Sequence, residues 1–338
     1  MPFFKIGTIG GTPDAYITRD LFEEYKAKYN YPHEGEVMIT CAGTVGKTIV
    51  FDGEDAYFQD SNIVWLSNPK QLYINSFLNY VLSRVNWNIL NSTTITRIYN
   101  DNLRELVINY PSIKEQEKIV ALLSLLDLRI AIQNKVIEDL KKLKSAFCEK
   151  MYDESNPNTR LADIIEQQSI RNKAGEDLKV LSVSNRYGFV EQSEQFEDRT
   201  IASEDTSNYK IVALNDFAYN PARINVGSIA RLKNFENGIV SPMYICFRCK
   251  GSVLPEFLEP FFSTKYFSLE MGKRLEGSVR MCLSFEGLCN IPINIPSYEE
   301  QTETAKKVNA LSEKLRLEES YSILLSAQKE YILSQMFI

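Results

Sequence analysis

Residues 111–152 read PSIKEQEKIVALLSLLDLRIAIQNKVIEDLKKLKSAFCEKMY. Ser112 and Glu115, just after Pro111, form an S-x-x-E capping box. Ile119, Leu123, Leu126, Ile130, Gln133, Ile137, Leu140, Lys144, Phe147 and Met151 then recur at alternating four- and three-residue steps. That period predicts a helical seam whose polar breaks are Gln133 and Lys144. No Pro or Gly interrupts it, so some forty residues predict a rod of about 60 Å. One apolar stripe on so long a helix needs a second helix to cover it.

The chain supplies one. Residues 296–337 read PSYEEQTETAKKVNALSEKLRLEESYSILLSAQKEYILSQMF. Ser297 and Glu300 repeat the capping box. A shift of 185 positions carries the first seam onto Thr304, Val308, Leu311, Leu315, Glu318, Ser322, Leu325, Lys329, Ile332 and Met336. Glu318 and Lys329 repeat the polar breaks, and Ser322 is a further weak point. An internal duplication is the strongest statement this sequence makes about architecture. The two seams are expected to pair antiparallel, with the globules at opposite ends.

The 338 residues are enough for two cored domains, and 44% apolar with 24% charged residues is ordinary for globular protein. No apolar run is long enough to span a bilayer, and the start lacks signal-peptide regions. Six cysteines without a compact framework predict reduced thiols and a cytoplasmic setting. A net charge of −6 requires any nucleic-acid surface to be local.

The expected order is a first domain at 1–110, a first long helix at 111–152, a second domain at 153–295 and a second long helix at 296–338. The class is α+β, with two mixed α/β globules separated by two long antiparallel helices. In the first globule, strands are expected at Phe3–Ile6, Val37–Ile39, Lys47–Phe51, Ile63–Leu66 and Leu106–Ile108. Asp14–Tyr16 and Asp52–Glu54 read as loops, and Asn75–Leu90 as a helix. Asp153–Asn158 reads as a polar hinge.

The second globule repeats the first loosely. Asn215–Tyr219 matches Gly35–Ile39, Gly227–Ala230 matches Gly46–Ile49, and Pro255–Leu269 matches the Asn75 helix. Arg280-Met281 matches Arg97-Ile98, and Ile293–Ser297 matches Ile108–Ser112. The globules differ far more than the rods do. Rods with one job and globules that each read something different would produce that pattern.

The order globule, rod, globule, rod, with Pro-x-x-x-Glu-Gln opening each rod at Pro111 and Pro296, resembles the specificity (S) subunit of type I restriction–modification systems. The resemblance implies two target-recognition domains that each read half of a split sequence in double-stranded DNA. It implies no catalysis and no cofactor in this chain, with two methyltransferase (M) subunits and motor-nuclease (R) subunits as partners. About twenty residues from Thr159 precede the strand at Val180, whereas the first globule begins almost at its own equivalent strand. The first recognition domain is therefore expected to be shortened at its start.

The resemblance and side-chain chemistry together nominate DNA contacts. They are Lys47, Thr48, Arg97, Tyr99 and Asn100 in the first globule. In the second they are Arg223, Asn225, Ser228, Arg231, Lys273, Arg274 and Arg280. Arg reads guanine with a bidentate fork, Asn reads adenine, and Lys and Ser hold phosphate. Each could instead be a solvated surface group, and Arg97 and Arg280 could pair with acids beneath the rods. The rod faces bearing Glu138, Lys141, Lys142, Lys306, Lys307 and Glu313 are expected to help dock M subunits, although a plain solvated face is the commoner fate of such charges.

Other signals read as scaffold. Gly43-Thr-Val-Gly-Lys-Thr48 lacks the earlier glycine of a phosphate loop, where Cys41 stands, and is expected to be a strand-linking turn. Cys246-Phe-Arg-Cys249 has no second pair and the only histidine is His33, so strand cysteines are expected rather than a zinc site. Asn220-Pro-Ala-Arg223 lacks the second proline and aromatic of an amino-methyltransferase motif and reads as a turn. A self-contained DNA-modifying enzyme or a coiled-coil scaffold with no DNA role stand as the alternatives.

Overall fold

The computed structural model describes residues 1–58, 62–87, 97–152, 157–185, 187–192, 206–277 and 280–337. Its first part holds β1 (Pro2–Phe4), β2 (Ala15–Tyr16), α1 (Arg19–Lys28), β3 (Val37–Thr40), β4 (Thr48–Val50), β5 (Tyr57–Phe58) and β6 (Ile63–Leu66). Then come α2 (Asn75–Arg84), α3 (Asn100–Arg104) and the long helix α4 (Ile113–Met151). The second part opens with β7 (Thr159–Arg160), α5 (Leu161–Ile164), β8 (Ile165–Gln168), β9 (Val180–Ser184), β10 (Gly188–Glu191), β11 (Lys210–Ala213) and β12 (Phe217–Tyr219). It continues with β13 (Ile229–Arg231), β14 (Asn237–Val240), β15 (Ile245–Cys249), α6 (Pro255–Phe261), α7 (Lys265–Gly272), α8 (Phe285–Cys289), β16 (Pro292–Ile293) and the long helix α9 (Tyr298–Met336).

Two compact units result. Unit 1 is Met1–Asn134 with Ser320–Ile338, and unit 2 is Lys135–Glu319. Each takes one half of α4 and one half of α9. In unit 1, Lys329 pairs with Asp127, and the Ser322 hydroxyl lies 2.9 Å from Asn134 Oδ1. Numbers that rise along α4 fall along α9, so the halves run antiparallel. Leu123 and Leu333 are buried between them, with Ile119, Leu126 and Ile332 packed alongside. In unit 2, Lys141 Nζ reaches Glu319 Oε1 at 2.7 Å.

The seam is as the period predicts. Ile119, Leu123, Leu126, Ile130, Gln133, Ile137 and Leu140 are buried or half-buried, as are Val308, Leu311, Leu315 and Leu325. Met336 departs from it and is exposed. The polar breaks of α9 are paired. Lys329 is held by Asp127, which also accepts the Tyr80 hydroxyl at 2.7 Å, and Glu318 is held by Lys314. Burial, reinforced by Asp127, pushes the Tyr80 hydroxyl up to about 12, so it stays a donor at neutral pH.

The duplication reaches the strand register. In unit 1 the order is β4-β3-β6, all antiparallel, with Val37 opposite both Val50 and Leu66. In unit 2 β13-β12-β15 has the same order, with Phe217 opposite Arg231 and Phe247. A second sheet repeats too, since β1 lies parallel to β5 as β9 lies parallel to β14. Several unit 2 strands have no described counterpart: β8 extends one sheet beyond β15, β11 extends the other beyond β14, and β7 pairs with β16.

One side-chain type joins rod to globule in both units. Gln116 and Gln301 are buried at the second positions of the two Glu-Gln pairs. The Gln116 oxygen accepts the Ile74 N–H at 2.8 Å and its amide donates to the Pro111 carbonyl at 2.9 Å. The Gln301 oxygen accepts the Leu254 N–H at 2.9 Å and its amide donates to the Pro296 carbonyl at 3.1 Å. Ile74 and Leu254 are the N-caps of α2 and α6, and neither has a side chain able to cap. The rod glutamine therefore supplies the acceptor those helix starts need. The far end of the other rod grips the same helices, through Phe337 on Phe77 at 5.6 Å and Tyr152 on Phe257 at 5.1 Å.

Several expected elements differ. Ala15–Tyr16 is strand rather than loop, because it finds β1 as partner. The Asn75 helix stops at Arg84, where Val85 turns extended, and residues 88–90 lie outside the described residues. Pro255–Leu269 divides into α6 and α7, with Pro260 near the end of the first and Thr264 capping the second. Leu106–Ile108 is not a strand among the described residues. Most of the expected hinge, residues 153–156, lies outside them. The strands at Val37, Thr48 and Ile63, and both rods, stand where expected.

Replacing Gln116 or Gln301 by Ala leaves a helix-start N–H and a carbonyl without their acceptor and donor. Each variant should lose about 1–3 kcal/mol by denaturant melting. Leu123→Asp, which puts a charge in the closed seam, should lose several kcal/mol more than an exposed control such as Leu125→Asp.

Candidate nucleic-acid interface

The nominated side chains divide into those free to meet a partner and those occupied within their own unit. In unit 2 the loop between β12 and β13 is the most available feature. Asn220 Oδ1 accepts the Ala222 N–H at 3.1 Å, and the Arg223 N–H donates to the Asn220 carbonyl at 3.0 Å. This is the turn the sequence suggests. It leaves Arg223 and Asn225 exposed at its tip, and left-handed Gly227, φ 85°, closes it. Arg280 is also exposed.

Four other candidates face inward or sideways. Ser228 is buried and donates to the Val183 carbonyl at 3.3 Å. Arg231 is buried. Its Nε donates to Glu259 at 3.0 Å, and its Nη1 donates to Asn215 Oδ1 at 2.7 Å and to Glu256. Lys233 also reaches Glu259, at 2.6 Å. This cluster ties β13 to α6. Arg274 donates to the Glu270 carboxylate at 2.6 Å, and Lys273 pairs with the same group.

A polar groove of about 590 Å³ runs beside the buried arginine, lined among others by Lys144, Asn185, Tyr187, Lys233 and Asn234. Four of these lie in the β9–β10 and β13–β14 turns, and Tyr187 is largely exposed. Apart from Lys144, a polar break of the seam, sequence reasoning did not single out these residues. Only the Asn-Arg-Tyr-Gly and Lys-Asn turn chemistry at 185–188 and 233–234 could have flagged them.

In unit 1 the β3–β4 loop occupies the equivalent place, with left-handed Gly43 and Gly46. It is a strand-linking turn. Exposed Lys47 donates its ammonium to the Ile9 carbonyl, and the Thr48 hydroxyl reaches the Asn79 carbonyl at 3.4 Å. Arg97 lies 5.9 Å over the Tyr99 ring, and Tyr99 and Asn100 are exposed at the start of α3. The structure thus gathers Arg97, Tyr99 and Asn100 at one place and Lys47 and Thr48 along one loop.

Cys246 and Cys249 lie on β15, where positions three apart face opposite sides of a sheet. Their thiols face different cores, and burial pushes both up to about 12, so they stay protonated.

The rod charges are largely spent within α4 and α9. Glu138 pairs with Lys135 and Lys142, Lys307 with Glu303, Glu313 with Arg316, and Lys141 with Glu319. A different rod surface stands out in unit 1. Leu122, Leu125 and Ile132 of α4, with Leu324 and Tyr331 of α9, are exposed, Leu125 by 65% and Leu324 by 67%. At ~100° per residue both sets fall on one flank of the helix pair. The Arg129–Tyr321 contact bridges the helices on that flank.

Comparison with known proteins meets this geometry. Residues 1–142 match the model of the type I restriction modification DNA specificity domain. A type I restriction enzyme specificity subunit of Haemophilus influenzae is 48% identical over 140 residues, which is 41% of this chain and 36% of that protein. The chain thus spans about a third of the length of that relative. The type I restriction–modification S subunit of M. genitalium aligns over all of this chain and 88% of its own, with TM-score 0.58 and 18% identity. A chain from a structure of type I R-M complex assembly and conformational transition aligns over 90% of this one and 82% of its own, with TM-score 0.55 and 14% identity.

Arg231→Ala should strand Glu256, leave Glu259 with Lys233 alone, and cost about 2–3 kcal/mol by denaturant melting. Arg223→Ala, at an exposed tip, should stay within ~0.5 kcal/mol of the parent. Residues 1–142 thus match the type I restriction modification DNA specificity domain, and the chain has the fold of the solved specificity subunit.

Proposed function

We propose that this chain is the DNA-reading subunit of a type I restriction–modification complex and that it reads a bipartite target, one half with each globule. The observation that carries the reading is the repeated scaffold with unlike loops. The β3–β4 and β12–β13 loops leave strands of the same register and each carries a left-handed glycine at its end, Gly46 and Gly227. One loop carries Thr44, Val45 and Lys47, and the other Arg223, Ile224 and Asn225. A common frame with different side chains at the same address suits two domains reading different base pairs. Methyl transfer and cleavage fall to partner subunits.

Arg223, Asn225 and Arg280 in unit 2, and Lys47, Arg97, Tyr99 and Asn100 in unit 1, are the contacts this reading favours. Arg231 and Ser228 act beneath them by holding the frame. The continuous α4 and α9 set the unread spacer. M subunits, which the sequence assigned to charged rod faces, are better served by the apolar flank of Leu122, Leu125, Ile132, Leu324 and Tyr331. Those side chains lose water on docking, whereas the charges already have partners.

Long-read mapping of methylated sites in cells carrying the whole system tests the reading. Arg223→Ala should relax or weaken one half-site only, by ~1–3 kcal/mol per lost base contact. One heptad added to both rods, about 10 Å, should widen the spacer by about three base pairs and leave the half-site sequences alone. A contiguous target, or a spacer indifferent to rod length, contradicts the proposal. Leu125→Glu with Leu324→Glu should melt like the parent yet fail to co-purify with M subunits.

A further inference from the structure

The duplicated rods give each unit a lysine at the same seam position, Lys144 in unit 2 and Lys329 in unit 1, 185 positions apart. In unit 1 that charge is spent. Lys329 is held by Asp127 and lies 5.6 Å over the Tyr80 ring. In unit 2 both partners are replaced. Ser312 stands where Asp127 does, 185 positions on, and Pro260 stands where Tyr80 does, counted from the matched helix starts Ile74 and Leu254. The Ser312 hydroxyl donates to the Val308 carbonyl at 2.7 Å, and a proline ring offers a lysine neither charge nor hydroxyl. Lys144 is half-buried, yet it has no ion pair among the described residues.

What Lys144 meets is the polar groove of about 590 Å³, which Asn185, Gly227, Lys233, Asn234 and Ser263 also line. The acids at this groove are already neutralised. Glu259 is held by Arg231 and Lys233, and Glu256 by Arg231. Two cations against two acids leave Lys144 as the uncompensated charge. The groove also adjoins the exposed loop tip of Arg223 and Asn225. Gly227 both closes that loop and lines the groove, and the Asn185 amide donates to the Val226 carbonyl at 3.4 Å. An ammonium among amides and hydroxyls lacks the planar fork that reads a base edge, and it suits a phosphate as a point charge.

Resting on the DNA-reading proposal above, we infer that this groove seats a backbone phosphate of the half-site read by unit 2, with Lys144 of the rod as its anchoring charge. The rod then does more than set a spacing, because one of its own side chains touches the DNA. Lys144 is a positioning residue: it fixes the register of the strand beside the Arg223 loop and adds no base preference. Its duplicate does not share the role, since Asp127 and Tyr80 give Lys329 partners inside the fold.

The test is anisotropy of the S–M complex on a fluorescent duplex carrying the mapped target, and on an unrelated duplex, between about 50 and 200 mM salt. Lys144→Gln keeps a polar side chain in a seam that already accommodates Gln133. It should weaken binding to both duplexes alike. The slope of log affinity against log salt should become shallower by about 0.9, the share of one phosphate contact. Lys144→Arg should restore the parent slope, and Lys329→Gln, which removes a charge already paired, should leave it unchanged. A neutral methylphosphonate stepped through the half-site that Arg223→Ala weakens should reach one position where parent and Lys144→Gln bind alike. A lysine that only holds the rod together would shift melting in Lys144→Gln and leave the slope alone, and that result overturns the inference. So does weakening confined to the target duplex, an equal loss of slope in Lys329→Gln, or a methylphosphonate scan with no such position. A parent complex that prefers no sequence brings down the DNA-reading proposal and this inference together. A parent that binds its target, beside a Lys144→Gln variant of unchanged slope, brings down the inference alone.

Discussion

A helix of some forty residues with one apolar stripe is not stable alone in water, and this chain solves the problem by carrying the stripe twice. The other features follow from that pairing. Two copies that run antiparallel bring the start of one rod beside the end of the other. In each unit one short globular helix then meets both. Gln116 and Phe337 grip α2, and Gln301 and Tyr152 grip α6. A flexible hinge between rod and globule would leave each globule without a fixed relation to its own rod. A buried glutamine bonded on both sides removes that freedom locally at modest energetic cost, because every polar atom of its amide is used.

The repeated frame explains why the two globules look so unlike in sequence. Register and strand order are kept by a small number of inward positions, such as Val37, Ile39, Phe217 and Tyr219. Loops between those strands are free to change, because little of their energy is committed to the core. Leu125→Glu and Arg231→Ala illustrate the same division in reverse. The first changes an apolar residue that the fold does not use, and the second changes a charged residue that it does.

Much of this was legible in the sequence, and the rest was hidden for identifiable reasons. The rods were readable because period 3.5 and a capping box are local signals. The Ser297–Glu300 box forms with the Glu300 carboxylate accepting the Ser297 N–H at 3.0 Å. The paired Glu-Gln openings were visible as a match, but the joint made by each glutamine depends on a helix start some forty residues away. Leu106–Ile108 has strand composition, yet a strand needs a neighbour, and Val107 has none among the described residues. Arg231 and Ser228 read as surface polar residues because nothing local announces Glu256, Glu259 or the Val183 carbonyl. Exposed Leu125 and Leu324 were passed over since the seam explained the helix without them.

The central claim is that two copies of one frame read two separated patches of DNA. Hydroxyl-radical footprinting of the S–M complex on its target, with and without Arg223→Ala, measures this most directly. Two protected patches divided by an accessible spacer, with only one of them lost in the variant, is the result expected. A single continuous footprint, or equal loss of both patches, would contradict it.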